Sequence, residues 1–247
     1  ISFKRYFVDA MGHMAYGLFA SLLIGTIFDT IAKQTGWAFL AQASAFSSSV
    51  TGPAIAVAIG YALGVPALVL FSLCAVGAAA YSLGGPLGAF FAAVVAAEAG
   101  KLVSKETKVD ILLTPTVTIL TGYGIAILTG PWISALMTAL GALIMRTTEL
   151  EPFFMGILVS VIVGIVLTLP ISSAALCAAL GLTGLAGGAA TAGCCAQMIG
   201  FAVMSFGDNG WGGVAAQGLG TSMLQMGNIA RNPRIWLPPT LASAITG

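Results

Sequence analysis

Residues 205–228 read SFGDNGWGGVAAQGLGTSMLQMGN and interrupt a strongly apolar chain. The stretch is rich in glycine and carries one Asp, two Asn, two Gln and one Trp. A lipid-facing helix does not have this composition, and a water-exposed loop does not directly follow an apolar run such as 200–204. Non-helical backbone is tolerated at membrane depth only where it is buried in protein or lines water. The stretch therefore predicts a re-entrant, cavity-lining segment; the alternative is a polar hairpin outside the membrane that binds no ligand.

The composition of the whole chain indicates the medium that surrounds the folded protein. The protein has 247 residues, of which 58% are hydrophobic and only 7% are charged, whereas soluble domains carry about 25% charged residues. This predicts an all-α polytopic membrane protein in a lipid bilayer, with about ten transmembrane or re-entrant helices, some of them discontinuous. The net charge of +1 leaves no basic face for nucleic acid. We expect one transporter-like transmembrane domain over 1–247, truncated at its C-terminus because the sequence stops within the apolar run TLASAITG.

Candidate spans follow from the length of the apolar runs, since crossing a bilayer takes roughly 20 residues and at least about 17. Several of the runs are short and broken by Gly or Pro, which is typical of the discontinuous helices of transporters. Gly-Pro pairs at 52–53, 85–86 and 130–131 mark expected helix starts. The amphipathic residues 33–49 predict an interfacial helix or part of a hairpin. The candidate segments are 11–32, 51–65, 66–83, 84–100, 110–128, 130–146, 153–169, 171–190, 193–207 and 208–230, with a partial one after 235.

The basic residues predict the orientation of the chain, because Lys and Arg gather in cytoplasmic loops. Lys4 and Arg5 precede the first span, and four crossings separate them from the cluster formed by Lys101, Lys105 and Lys108. Further even numbers of crossings lead to Arg146 and then to Arg231 and Arg234, and only Lys33 falls on the other side. We therefore expect a multi-pass protein of the bacterial plasma membrane with a cytoplasmic N-terminus.

Polar groups that a bilayer should not tolerate mark candidate sites. Glu149 and Glu151 precede Pro152 and a long apolar run, so both carboxylates are expected at a helix N-terminus, where the helix dipole stabilises anions. One interpretation is an interfacial cap with Arg146 as partner. The other is a carboxylate that accepts hydrogen bonds from a hydroxylated substrate or carries a proton.

The glycine-rich stretch provides the second candidate site. Its amides and carboxylate suit the hydroxyl groups of a neutral, polyhydroxylated ligand, and its Trp ring suits the C–H face of a sugar. A cation pathway would need more carboxylates, and an anion pathway would need Arg or Lys. Ser172 and Ser173, which follow Pro170, are expected to face the same cavity. The expected substrate-binding residues are Glu149, Glu151, Asp208, Asn209, Trp211, Gln217, Gln225, Asn228, Ser172 and Ser173.

Neither a metal site, a cofactor site nor a catalytic residue is predicted. His13 is the only histidine, so a histidine-based metal cluster or triad is not available. The four cysteines lack C-x-x-C spacing and lie in apolar runs, as small packing residues do. No G-x-S-x-G or Walker lysine loop occurs.

Three runs resemble a known family: TELEPFFMGILVSVIVGIVLTLPISSAAL (148–176), FGDNGWGGVAAQGLGTSMLQMGNI (206–229) and NPRIWLPPTLASAITG (232–247). They are similar to the membrane component IIC of the bacterial phosphotransferase system, and look closest to its small stand-alone branch, called perfringolysin O regulator-like. The resemblance implies a sugar-translocating homodimer that works with separate IIA and IIB phosphocarrier proteins. Any enzymatic role would be that of the membrane subunit of a sugar phosphotransferase. Residues 148–152 resemble, with extra residues, a Thr-Glu-Pro-type motif whose Glu contacts the sugar.

Three functions fit the sequence. The first is a sugar permease of the IIC type with a cavity between 146–152, 170–173 and 208–228. The second is a membrane sensor or regulator without transport, which the name of the branch suggests. The third is a proton- or ion-coupled carrier of a non-sugar solute, with Glu149, Glu151 or Asp208 as the titrating group.

Overall fold

The computed structural model describes residues 4–171, 173, 176–177 and 180–247, and these form helices and no strands. Among them, four helices are long and apolar enough to cross a membrane, and a pair bent by 50° adds a fifth. The prediction of an all-α polytopic membrane protein is therefore confirmed. The chain divides into two compact units, Ile1–Ile133 and Ser134–Gly247.

The first unit is built from helices that mostly follow the predicted segments. A bend separates the second and third helices at Val50, and the third begins at Thr51, at the first of the predicted Gly-Pro starts. The helices are α1 (Lys4–Thr35), α2 (Ala38–Ser49), α3 (Thr51–Leu63), α4 (Ala67–Val103) and the part of α5 (Asp110–Thr148) that falls within the unit.

The chain of α4 reverses direction in its middle. A straight 37-residue helix would separate Val69 from Gly100 by about 46 Å, yet a Cβ on Gly100 would lie 2.8 Å from the Val69 side chain. Likewise, a Cβ on Gly88 would lie 2.8 Å from the carbonyl oxygen of Ala80. We call residues 67–103 the first hairpin. Its arms, 67–83 and 86–103, match the predicted segments 66–83 and 84–100.

Glycine makes this reversal possible. Gly85 has φ 58° and ψ −151°, a backbone region that is essentially restricted to glycine because any Cβ is strained there. Pro86 follows directly, and its fixed φ and missing N–H suit the first turn of the returning arm. The Gly-Pro pair at 85–86 therefore starts a helix as the sequence predicts.

Polar contacts gather several chain segments at the open end of the first hairpin. Arg5 donates from Nη2 to the carbonyl oxygen of Leu63 at 3.1 Å, and Lys101 Nζ donates to the same oxygen. Glu98 pairs with Arg5 at 3.0 Å and with Lys101 at 3.6 Å. Two cations at the last carbonyls of α3 also complement its helix dipole. Arg5 and Lys101 thus lie at the same end of this unit, which agrees with the even number of crossings predicted between them.

Helix α2 packs back against α1. Ser47 donates from Oγ to the carbonyl oxygen of Ser21 at 2.7 Å, and Ser44 is buried beside Gly25. Small residues allow such close approach of helices in membranes. Of the two predictions for residues 33–49, the structure thus shows the hairpin.

The second unit contains residues 134–148 of α5 and shorter elements. Its apolar core joins Ile144 to Met155, Val159 and Val163 of the next helix and to Ala190. The elements are α6 (Pro152–Thr168), α7 (Gly184–Met204), α8 (Phe206–Ala215), a π-helical turn (Ala216–Gly220), a 3-10 turn (Ser222–Gln225), α9 (Met226–Arg231), a second 3-10 turn (Pro233–Trp236) and α10 (Leu237–Thr246).

Helices α6, α7 and α10 approach so closely that side chains on one helix bond to the backbone of another. Ser160 donates from Oγ to the carbonyl oxygen of Ser243 at 2.6 Å, and Ser243 Oγ donates to Gly193 at 3.2 Å. Gly193 has no room for a Cβ, which would overlap the backbone of Ser160. Hydrogen bonds between such close helices are a recognised source of association in membranes.

The helix boundaries differ from prediction at Gly130–Pro131. The sequence predicts separate segments 110–128 and 130–146, whereas α5 is one helix of 39 residues with Pro115 and Pro131 inside it. Proline is tolerated within membrane helices because neighbouring groups satisfy the freed carbonyls. Gly130 lacks the positive φ found at Gly85.

We predict that Gly85→Ala destabilises the protein. The added Cβ meets no steric clash, since no atom lies within 4 Å of its position. The cost is backbone strain of about 1–3 kcal/mol, which should lower the midpoint of thermal unfolding in detergent. Gly124→Ala is the matched control: its Cβ position is equally open, its φ is not positive, and alanine favours a helix over glycine by about 1 kcal/mol. Equal melting temperatures for the two variants would contradict the prediction.

Candidate functional site

A partly polar pocket of about 330 Å³ opens in the second unit. It combines one carboxylate, three side-chain amides and one hydroxyl with three apolar side chains. We call it the polar pocket. Its lining residues are Phe201, Met204, Ser205, Asp208, Asn209, Gln225, Asn228 and Ile235.

One wall of the polar pocket is made where α7 gives way to α8. Ser205 joins them with φ −95° and ψ 7°, so the helix does not run straight on. Gly210 then adopts φ 55° and ψ −154°, which again is a glycine conformation. Between these two points lies one short turn, and this turn carries Asp208 and Asn209. The glycine-rich sequence thus presents two adjacent polar side chains on a wall that ends where the chain reverses.

Beyond Gly210 the chain returns along α7. A Cβ on Gly218 would lie 3.5 Å from Ile199 Cδ1, although a straight helix would separate the two residues by about 28 Å. We call residues 184–220 the second hairpin. Its returning arm is only about ten residues, well short of the 17 that a span needs. These observations confirm that the segment is discontinuous, as the sequence predicts.

The opposite wall comes from irregular backbone after the second hairpin. Thr221 is extended, and its Oγ1 accepts a hydrogen bond from the backbone N–H of Met223 at 3.2 Å, which starts the 3-10 turn. Asn228 Nδ2 donates to Gln225 Oε1 at 2.8 Å. This bond leaves the Gln225 amide nitrogen as a donor and the Asn228 carbonyl oxygen as an acceptor. The amide pair therefore has both kinds of group to offer a ligand.

Asp208 and Asn209 make no side-chain hydrogen bond or ion pair within the described part of the chain, and both are exposed. No Lys or Arg lines the polar pocket. A carboxylate without a nearby cation attracts donors such as hydroxyl groups and repels anions.

The structure brings together only part of the predicted site. Asp208, Asn209, Gln225 and Asn228 line the polar pocket. Gln217 lies behind the wall, 2% exposed, and reaches it through a hydrogen bond to Ser205. Trp211 is 78% exposed and contacts Phe206 edge-to-face instead of lining the pocket.

The remaining predicted residues do not line the polar pocket. Glu149 and Glu151 are exposed, and Glu151 precedes α6 without a side-chain capping bond. Arg146 forms no ion pair with them in the described structure. Ser173 is buried, and Ser172 lies outside the described residues. Within the described residues, no group of three or more His, Cys, Asp or Glu side chains could hold a metal ion.

Sequence reasoning missed four lining residues. Phe201, Met204 and Ile235 are apolar and belong to apolar runs, so nothing in the sequence distinguishes them from lipid-facing or core residues. Ser205 opens the quoted stretch directly before the glycines, and this position was the available signal. Its role becomes evident only from its hydrogen bonds.

The family described as phosphotransferase system, EIIC, matches residues 8–247, which is nearly the whole chain. No curated protein and no solved structure matches this chain.

We predict that Gly213→Ala disturbs the wall of the polar pocket, because its Cβ would overlap the Cβ of Asn209. That atom is fixed to the backbone and cannot swing aside, so overpacking of about 1–3 kcal/mol is expected. Gly212→Ala is the matched control, with no atom within 4 Å of its Cβ position. Thermal unfolding of both variants in detergent tests this, and equal stability of the two would contradict the geometry.

Proposed function

Since this chain belongs to the phosphotransferase-system EIIC family, whose members are membrane-embedded sugar-transport permease components, we propose that the polar pocket is its sugar-binding site. Asp208, Asn209, Gln225 and Asn228 bind the hydroxyl groups. Glu149, Glu151, Trp211 and Ser173 are then outside the binding set in this conformation. The proposed site thus keeps only those predicted residues that line the polar pocket.

The observation that carries the proposal is the unpaired hydrogen-bonding capacity of the pocket wall. A sugar hydroxyl both donates and accepts, and the wall offers a carboxylate that accepts and amides that do both. Phe201, Met204 and Ile235 supply apolar surface for the C–H groups of a sugar ring. Small-molecule sites combine such apolar lining with a few placed polar groups.

The charge of the wall favours the free sugar over its phosphate ester. Phosphate sites in proteins commonly use Arg or Lys, whereas neither lines the polar pocket, which has the Asp208 carboxylate instead. We therefore propose that the pocket binds the sugar before any phosphoryl transfer, and that separate IIA and IIB proteins supply the phosphoryl group.

Movement of the sugar across the bilayer requires that the pocket open to each side in turn. The second hairpin forms one wall, and a short re-entrant arm can shift without dragging a full span through the membrane. We propose that this hairpin is the moving element, while the first hairpin, whose arms are full length, belongs to the fixed part of the protein.

We also propose a cytoplasmic N-terminus in the bacterial plasma membrane. The common end shared by Arg5 and Lys101 supports it, since basic residues favour the cytoplasmic side.

Alkaline phosphatase fused after Lys108 tests this orientation, because the enzyme folds only outside the cytoplasm. We expect an inactive fusion. A fusion inserted after Gly36, in the turn between α1 and α2 at the other end of α1, is expected to be active and serves as the control. The opposite pattern would reverse the orientation.

We predict that Asp208→Asn weakens sugar binding about tenfold or more, because a hydrogen bond to a charged group contributes about 1.5–3 kcal/mol. Titration calorimetry of the purified protein against a panel of hexoses and pentoses measures the loss. Glu149→Gln is the control, since this exposed carboxylate does not line the polar pocket, and it should bind as the wild type does.

Two results would overturn the assignment. If the wild type binds no sugar of the panel, the permease hypothesis loses its basis and the sensor hypothesis is favoured. If uptake in cells collapses with an uncoupler and needs no IIB protein, the chain is an ion-coupled carrier, and Asp208 is then the first residue to test as its titrating group.

A further inference from the structure

Ser205 occupies a special position, because it is both the joint between α7 and α8 and part of the wall of the polar pocket. Its hydroxyl donates to the carbonyl oxygen of Phe201 at 2.8 Å, one helical turn earlier. It also accepts a hydrogen bond from Gln217 Nε2 at 2.8 Å. Two of its three hydrogen-bonding positions are therefore occupied.

A serine hydroxyl has one proton and two lone pairs. The proton is donated to the carbonyl oxygen of Phe201, and one lone pair accepts the hydrogen bond from Gln217 Nε2. A single lone pair is therefore left for a ligand. Ser205 can consequently accept a hydrogen bond from the polar pocket, and it has no proton left to donate.

Gln217 is what maintains this arrangement from the returning arm of the second hairpin. It is 2% exposed, and its Oε1 is buried without a hydrogen-bond partner among the described residues. A buried amide oxygen without a partner is costly, so packing alone would favour an apolar residue here. The Nε2 bond to Ser205 is the only side-chain hydrogen bond that Gln217 makes in the described structure.

We propose that Ser205 is a specificity-determining ligand-binding residue and Gln217 its positioning residue, so that the pocket selects a ligand group that donates a hydrogen bond at this point. The inference rests on the proposed sugar site and deepens it. A sugar hydroxyl satisfies Ser205, whereas a hydrogen or a fluorine at the same carbon does not, because neither donates a proton.

The test uses D-glucose, D-mannose and D-galactose with their monodeoxy and monodeoxyfluoro derivatives, and measures Kd by calorimetry. For the sugar that binds, we expect one position at which the wild type prefers hydroxyl over fluorine by about tenfold. In Ser205→Ala this preference should fall to near one at that position and stay unchanged at the others.

Gln217→Met keeps the length of the side chain and removes the donor. The Ser205 hydroxyl then regains a second lone pair and freedom to rotate, so its proton can turn toward a fluorine. The hydroxyl-to-fluorine preference at that same position should fall at least threefold. A purely structural role would weaken the binding of all derivatives in parallel and leave the preference intact.

The chain contains a closely matched control. Gln197 is also fully buried, its Nε2 also donates to a hydroxyl, that of Thr240 at 3.2 Å, and its Oε1 is also without a partner among the described residues. It does not line the polar pocket. Gln197→Met should therefore change stability to a similar degree as Gln217→Met and leave the hydroxyl-to-fluorine preference unchanged.

The outcomes separate the two proposals. If the wild type binds none of the sugars, the proposed function fails, and the positioning role fails with it. If the wild type binds and Gln217→Met retains its hydroxyl-to-fluorine preference, the positioning role is wrong and the sugar site stands. If Gln217→Met does not fold, Ser205→Ala decides: an unchanged preference in that variant overturns the inference.

Discussion

The structure depends on reversing a helical chain inside a medium that offers no water to the backbone. Every N–H and C=O group left free at such a reversal costs several kcal/mol in lipid, so the turn must be as short as possible. Gly85 and Gly210 provide it with nearly the same backbone, φ 58° and ψ −151° against φ 55° and ψ −154°. At both positions the space around a Cβ is empty, so glycine is required there for its conformation alone.

The two hairpins that these glycines create are held together differently. In the first hairpin, small residues press against the opposite arm, as Gly100 does against Val69. In the second hairpin, a polar bond between Ser205 and Gln217 joins the arms in addition to the approach of Gly218 to Ile199. Dispersion contacts over a long arm fix a single packing, whereas the returning arm of the second hairpin is only about ten residues long and its bond to Ser205 leaves that hydroxyl one lone pair for a ligand. The physical difference supports a fixed first hairpin and a responsive second one.

Sequence predicted the features that composition controls and missed those that depend on three-dimensional neighbours. The polar glycine-rich stretch correctly indicated a discontinuous segment, because few structures permit such residues in an apolar chain. Gly130–Pro131 looks like Gly85–Pro86 in sequence, but only Gly85 takes up a positive φ, which is a property of the packed hairpin. Glu149 and Trp211 have suitable chemistry for a sugar, yet no local pattern shows which cavity a side chain reaches. Ser205 was overlooked because its value lies in bonds to Phe201 and Gln217.

Size alone would have led to a different site. An apolar groove of about 620 Å³, nearly twice the volume of the polar pocket, runs between α7 and α10 and is lined by residues such as Ile199, Val203 and Pro239. An apolar surface attracts any occupant through dispersion contacts, which have no direction and cannot distinguish one hydroxylated ring from another. Rejecting the wrong sugar requires buried polar groups that are left unpaired when a hydroxyl is missing. In this unit, the smaller cavity has such polar groups, since the buried Gln225 amide and the half-buried Ser205 hydroxyl line it beside the exposed Asp208 and Asn209.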